Sequence, residues 1–138
     1  MTADGLAESL GMHSHPEGGR YLETWRGRDV GGRAIGTAIY YLLVAGERSH
    51  WHRVDADEVW LFHAGDSLAI DVAVAAGADV TRHVLGTSVT TGERPQVVVP
   101  AGAWQSATPL GEWTLVSCVV APGFEFDGFE LAPEGWTP

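Results

Sequence analysis

Short apolar runs recur along this chain, broken by glycine, proline or aspartate, and in places they alternate with polar residues at period two. Alternation of that kind predicts strands with one face buried. Tyr21 to Arg26 reads as the first, with Tyr21, Glu23 and Trp25 on one face and Leu22 and Thr24 on the other. Thr37 to Val44 is β-branched and aromatic, as a buried strand should be, and Gly46 ends it. His50 to Arg53 and Glu58 to His63 follow, joined through Asp55-Ala56-Asp57. Gly65-Asp66 has hairpin chemistry. Ser67 to Ala75 and Val80 to Leu85 are the next pair, with Gly77-Ala78-Asp79 between them. Gly86 to Arg94 reads as a loop. Gln96 to Val99 stops at Pro100-Ala101-Gly102, Trp104 to Ala107 runs toward Pro109, and Trp113 to Val120 is the last clear strand.

Helical spacing occurs once, at Thr2 to Leu10, where Leu6 and Leu10 are an i, i+4 pair and Gly11 follows as a stop. His15-Pro16-Glu17-Gly18-Gly19 reads as a rigid turn, with His15 and Glu17 capping it or standing at a pocket rim. Arg28 to Gly32 is a second, polar turn. About eight to ten short strands with one helix predict an all-β sandwich or small barrel.

The length of 138 residues fits one domain. Within it, 1–19 is a helix and turn, 20–121 a barrel, and 122–138 a tail. The tail is rich in Phe and Trp, so it should pack outside the sheet or at a dimer contact. The net charge of −10 argues against nucleic acid and anionic membranes as partners, because those contacts need cations. Cys118 is the one cysteine, which rules out an intrachain disulfide and thiolate-only metal sites and reads as a small core residue. No apolar run approaches the roughly 20 residues of a membrane span, and no secretory leader is visible, so the expected location is cytoplasmic.

The candidate chemistry sits in Gly46 to Gly65. On a strand, His50 and His52 share a face. Glu58, Trp60 and Phe62 share a face of the next. Two imidazoles and a carboxylate would converge if both faces point inward. Imidazole and carboxylate donors suit Zn, Fe, Mn, Ni or Cu and leave positions open for substrate. Without metal, His52 and Glu58 would serve as an acid–base pair, or be held by hydrogen bonds in a plain pocket.

Gly46, His50, His52, Glu58 and Gly65 resemble the first signature of the cupin superfamily. Gly92, Pro100 and Gly102 resemble its second, with Gln105 where that signature has a histidine. His15 to Gly19, Glu23 to Arg26, Tyr40 to Leu43, Gly92 to Gln96 and Ala121 to Phe124 are similar to the small single-domain cupins with an N-terminal His-Pro-Glu-Gly-Gly. The resemblance implies a jelly-roll β-barrel with one open end and a small-molecule pocket. It implies a divalent transition metal (Zn, Fe, Mn or Ni) on His50, His52, Glu58 and Gln105. Catalytic residues would be Glu58, His52 and Glu23, the last either a second acid–base group or a partner of an arginine such as Arg53. Gln105, Trp60, Phe62 and Trp25 would contact substrate, unless Trp60 and Phe62 are core and Gln105 a structural amide. The implied function is metal-assisted proton transfer on a small polar metabolite, of isomerase, epimerase, lyase or cyclase type. A metal-dependent dioxygenase and a non-catalytic binding cupin are the alternatives, and the apolar tail and exposed sheet faces lead us to expect a homodimer. An outward-turned His50 would favour a binder or a metal-free epimerase.

Overall fold

The computed structural model describes all 138 residues. The N-terminal helix α1 (Ala3–Leu10) is capped by the Thr2 hydroxyl, which accepts from the Gly5 amide at 3.0 Å, and ends on Gly11 in the left-handed region. Thirteen strands follow. They are β1 (His13–Ser14), β2 (Arg20–Arg26), β3 (Asp29–Val30), β4 (Arg33–Ala34), β5 (Thr37–Val44), β6 (Ser49–Val54), β7 (Asp57–Gly65), β8 (Leu68–Ala73), β9 (Thr81–Leu85), β10 (Gln96–Val99), β11 (Trp104–Pro109), β12 (Trp113–Ala121) and β13 (Phe129–Leu131). The runs expected as strands thus become strands within a residue or two at each end. The turn expected at Arg28 to Gly32 is the small hairpin β3–β4, and the tail contributes β13.

A six-stranded antiparallel sheet, β1-β2-β5-β12-β7-β10, lies against a five-stranded one, β13-β6-β11-β8-β9. The product is a jelly-roll barrel. Its core is Tyr41, Leu43, Trp60, Leu68, Ile70, Leu85, Val116 and their neighbours, all nearly inaccessible to solvent. Burial follows strand parity most clearly on β12, where Thr114, Val116, Cys118 and Val120 are buried and the residues between them are not. The tail covers one sheet edge. β13 pairs with β6, and the Trp136 ring lies 4.5 Å from that of Trp104. No helix is long and apolar enough to cross a membrane.

Candidate active site

Two register defects decide which side chains reach the barrel interior. On β6, Gln105 of β11 stands opposite His52 and Ala107 stands opposite Ser49, so four residues face three. The extra residue lies between them, where His50 and Trp51 together oppose Ser106, and this β-bulge breaks the alternation. Ser49 and His52 both turn inward, 0% and 2% exposed. His50 turns outward, and its Nε2 donates to the carbonyl of Pro133 at 2.9 Å. The expected pairing of His50 with His52 is therefore corrected. On β2, Glu23 faces Ile39 and Trp25 faces Ala38, leaving Thr24 as the extra residue. Trp25 accordingly lies on the surface, 46% exposed, against Gly27 and Gly36. It does not contact the interior as expected.

The turn His15 to Gly19 supplies what the alternation could not reveal. Its backbone closes through His15 N–H to Gly19 O at 3.0 Å and Gly18 N–H to His15 O at 3.1 Å, and it is pinned to β6 by His50 N–H to Glu17 O at 2.8 Å. Gly18 is required here: its φ is +110°, and a Cβ would stand 2.3 Å from the Arg48 carbonyl oxygen. The turn drives the Glu17 side chain, 9% exposed, between two imidazoles. Glu17 Oε1 lies 3.3 Å from His15 Nδ1 and Oε2 lies 3.4 Å from His52 Nε2. The Ser49 hydroxyl donates to Oε2. His15 and Glu17 are thus walls of the site rather than mere caps of a turn. A carboxyl set between X-Pro and a double glycine was the available signal, but the turn's docking onto β6 is a tertiary event.

Opposite this group stands Glu58 on β7, 7% exposed. The Gln105 amide donates to Glu58 Oε1 at 2.8 Å, and Trp60 Nε1–H donates to Gln105 Oε1 at 2.9 Å. Trp60 is a core residue with one polar duty, and Phe62 packs on the core beyond it. Neither lines the cavity, which corrects their expected role as substrate contacts. Gln105 likewise reaches the site only through Glu58.

These groups wall a cavity of about 680 Å³. His15, Glu17, His52, Glu58, Thr37, Cys118 and Val120 form its depth, with Tyr21 and Ile39 on its flank. Phe124, Glu125, Phe126 and Asp127 from the tail form its mouth with Glu23 and Arg26. The tail is held there by Arg33, which donates to Gly123 O at 2.8 Å, and by Thr37 Oγ1, which accepts from Phe124 N at 2.9 Å. Glu23 is at the rim, paired with Arg26 at 2.8 Å. Arg53 instead pairs with Glu130 and lies over Trp104. Cys118 is buried as expected and also faces the cavity.

Burial sets the proton affinities. Desolvation raises Glu58 to about 7, against a smaller lowering by the Gln105 hydrogen bond. Desolvation raises Glu17 well above the carboxylate range, and the charge of Glu58 adds to it. Burial lowers His52 and His15 to about 4 each, so both imidazoles are neutral near pH 7. Burial likewise keeps the Tyr41 phenol and the Cys118 thiol protonated.

The metal set expected from the sequence does not fit. His50 faces away, and both ends of the Gln105 amide are engaged by Trp60 and Glu58. No three His, Cys, Asp or Glu side chains are placed to hold a metal ion.

Residues 4–132 match the model of a family described as Cupin superfamily (DUF985). The chain is similar to a crystal structure of a Shewanella oneidensis protein, with 40% identity and a TM-score of 0.90, over 96% of this chain and 85% of that one. It is similar to a hypothetical protein from Leishmania major, with 33% identity and a TM-score of 0.86, over 96% and 88%. Its likeness to Bacillus subtilis oxalate decarboxylase, at 16% identity and a TM-score of 0.67, covers 89% of this chain but 31% of that one and concerns the fold alone. Mn(II) centres belong to that decarboxylase. No protein with a curated description matches.

Proposed function

Taking as premise that the chain belongs to the cupin superfamily (DUF985), we propose that its barrel cavity carries out metal-free proton transfer on a small polar molecule, as an isomerase or epimerase does. What supports this reading is a single observation: one cavity holds two buried carboxyls whose proton affinities are pulled apart. Glu58, with a pKa of about 7, is part carboxylate at neutral pH and suits a general base. Glu17 keeps its proton and suits a general acid.

Glu58 takes the proton from a carbon next to a carbonyl. The electron pair of that C–H bond moves to the carbonyl oxygen, which receives a proton from the Glu17 side. Glu58 then gives its proton to the former carbonyl carbon while the hydroxyl on the carbon it deprotonated gives its proton to Glu17, which forms the isomer and restores both carboxyls. The Ser49 hydroxyl and the bond from the Glu17 amide to His15 Nδ1 hold Glu17 in place, and the two imidazoles, being neutral, leave its proton with it. A second reading is a non-catalytic binding cupin, which the outward His50 suits equally.

Deuterium wash-in separates the two. The protein is incubated in D₂O with dihydroxyacetone, xylulose, hydroxypyruvate and dihydroxyacetone phosphate, and loss of the C–H signal is followed by proton NMR. The enzyme reading expects exchange with at least one compound, and Glu58→Gln slows it by about 10²-fold or more. Its rate should rise with pH to half-maximum near 7, as Glu58 ionises. Exchange no faster than in buffer for all four compounds would leave only the binder.

A further inference from the structure

The two imidazoles in the cavity carry their protons on opposite nitrogens. A carbonyl oxygen can only accept, so the 2.7 Å contact of His52 Nδ1 with His50 O requires a proton on Nδ1. Neutral His52 therefore has a bare lone pair at Nε2. A backbone N–H can only donate, so the 3.1 Å bond from Glu17 N requires an unprotonated Nδ1 on His15. Neutral His15 therefore carries its proton at Nε2. The nearest polar partner of His52 Nε2 is Glu17 Oε2 at 3.4 Å, too long for an O–H···N hydrogen bond, and Ser49 already donates to that oxygen. His15 uses only Nδ1 within the protein. One acceptor and one donor, both more than nine-tenths buried as side chains, are left for a ligand.

We propose that this cavity binds an uncharged α-hydroxycarbonyl compound, with its carbonyl oxygen on His15 Nε2–H and its adjacent hydroxyl donating to His52 Nε2. The proposal rests on the proton-transfer reading and names its substrate class. Vicinal carbonyl and hydroxyl oxygens are an acceptor and a donor on neighbouring carbons, matching in kind the donor left on His15 and the acceptor left on His52.

The charge pattern excludes the anionic relatives of such compounds. Arg26 is the one guanidinium on the cavity wall, and it is bound to Glu23 at 2.8 Å and to Phe124 O at 3.2 Å. The same wall holds Glu17, Glu23, Glu58, Glu125 and Asp127. A carboxylate or phosphate placed there would lose its water without gaining a free cation. The volume of about 680 Å³, flanked by Tyr21, Ile39 and Phe124, has room for a sugar-sized carbon frame.

The test reads binding, not turnover. Protein with ¹⁵N-labelled histidine is studied near neutral pH by long-range proton–nitrogen NMR, alone and with dihydroxyacetone, hydroxypyruvate or glycerol. These three share a carbon count and differ in charge and in the carbonyl. The spectrum should show His52 protonated at Nδ1 and His15 at Nε2. Dihydroxyacetone should shift both Nε2 signals saturably, about tenfold more tightly than either other compound. His15→Asn keeps an acceptor for the Glu17 amide but lacks the Nε2 donor. His52→Asn keeps a donor for His50 O but lacks the Nε2 acceptor. Each should stay folded by thermal melting and lose the preference for dihydroxyacetone over glycerol. The other tautomer at either ring, equal binding of hydroxypyruvate, an unchanged preference in both variants, or no saturable shift with dihydroxyacetone overturns the proposal. Wash-in confined to hydroxypyruvate would sink this inference and leave the proton-transfer reading standing.

Discussion

Three neighbouring strands pass from one end of the barrel to the other, and their inward side chains change character on the way. At the open end, Thr37 of β5, Val120 of β12 and Glu58 of β7 lie side by side in register. The next row inward is Ile39, Cys118 and Trp60, and the next Tyr41, Val116 and Phe62. Beyond these the interior closes over Leu43, Leu68, Ile70 and Leu85, each at 0 or 1% exposure. The closed end is held by apolar volume, where any well-shaped hydrophobe serves. The open end is held by partners: Trp60 bonds Gln105, Gln105 bonds Glu58 and Ser49 bonds Glu17. The difference teaches that the site is a polar network set on a rigid apolar floor, so the two ends should fail in different ways.

The largest effect is expected at the floor. Ile70→Ala should lower unfolding free energy by about 2–5 kcal/mol in urea titration, equally at every pH, because only apolar volume is lost. Glu58→Gln should do the reverse, and only at higher pH. The unfolded carboxyl ionises near the ordinary 4.5, while the folded one holds its proton to about 7. Across that window the folded chain binds more protons than the unfolded chain, so the parent loses stability as pH rises, by roughly 3 kcal/mol in all. Glutamine has no such proton. Its advantage should be absent below pH 4, grow through the window and level off above pH 7. A pH-independent difference would mean that Glu58 titrates normally and the two ends are alike.

Gln105→Leu should cost about 2 kcal/mol, since Glu58 and the Trp60 N–H both lose a buried partner. The Glu58 midpoint should move up, because the Gln105 hydrogen bond favours the carboxylate. The smallest effect belongs to His50→Ala, at about 0.5–1 kcal/mol for the bond to Pro133 O. This variant should leave dihydroxyacetone binding unchanged. A large loss of binding would put His50 back in the site.

The floor was legible in the sequence and the site only in part. Strands β10 and β12 bury alternate residues and β5 is an unbroken β-branched and aromatic run, so these strands could be read directly. Glu58 was found for the same reason. His50 and Trp25 were misplaced because each lies on a strand carrying one extra residue. A bulge leaves no mark in the hydrophobic pattern, yet it inverts every side chain beyond it. Glu17 and His15 were assigned to a turn correctly, but their entry into the cavity depends on the turn meeting Arg48 and His50 far along the chain. Gln105 was located by position in a motif, while its actual partners, Trp60 and Glu58, follow from strand packing.

The most direct measurement of the central claim is a carbon-13 NMR titration of the glutamate carboxyls, with Glu17→Gln and Glu58→Gln assigning the two signals. The account predicts one carboxyl changing near pH 7 and the other still protonated beyond it. Two carboxyls both titrating near the ordinary value of about 4.5 would leave the cavity without the base and acid on which the proposed chemistry depends.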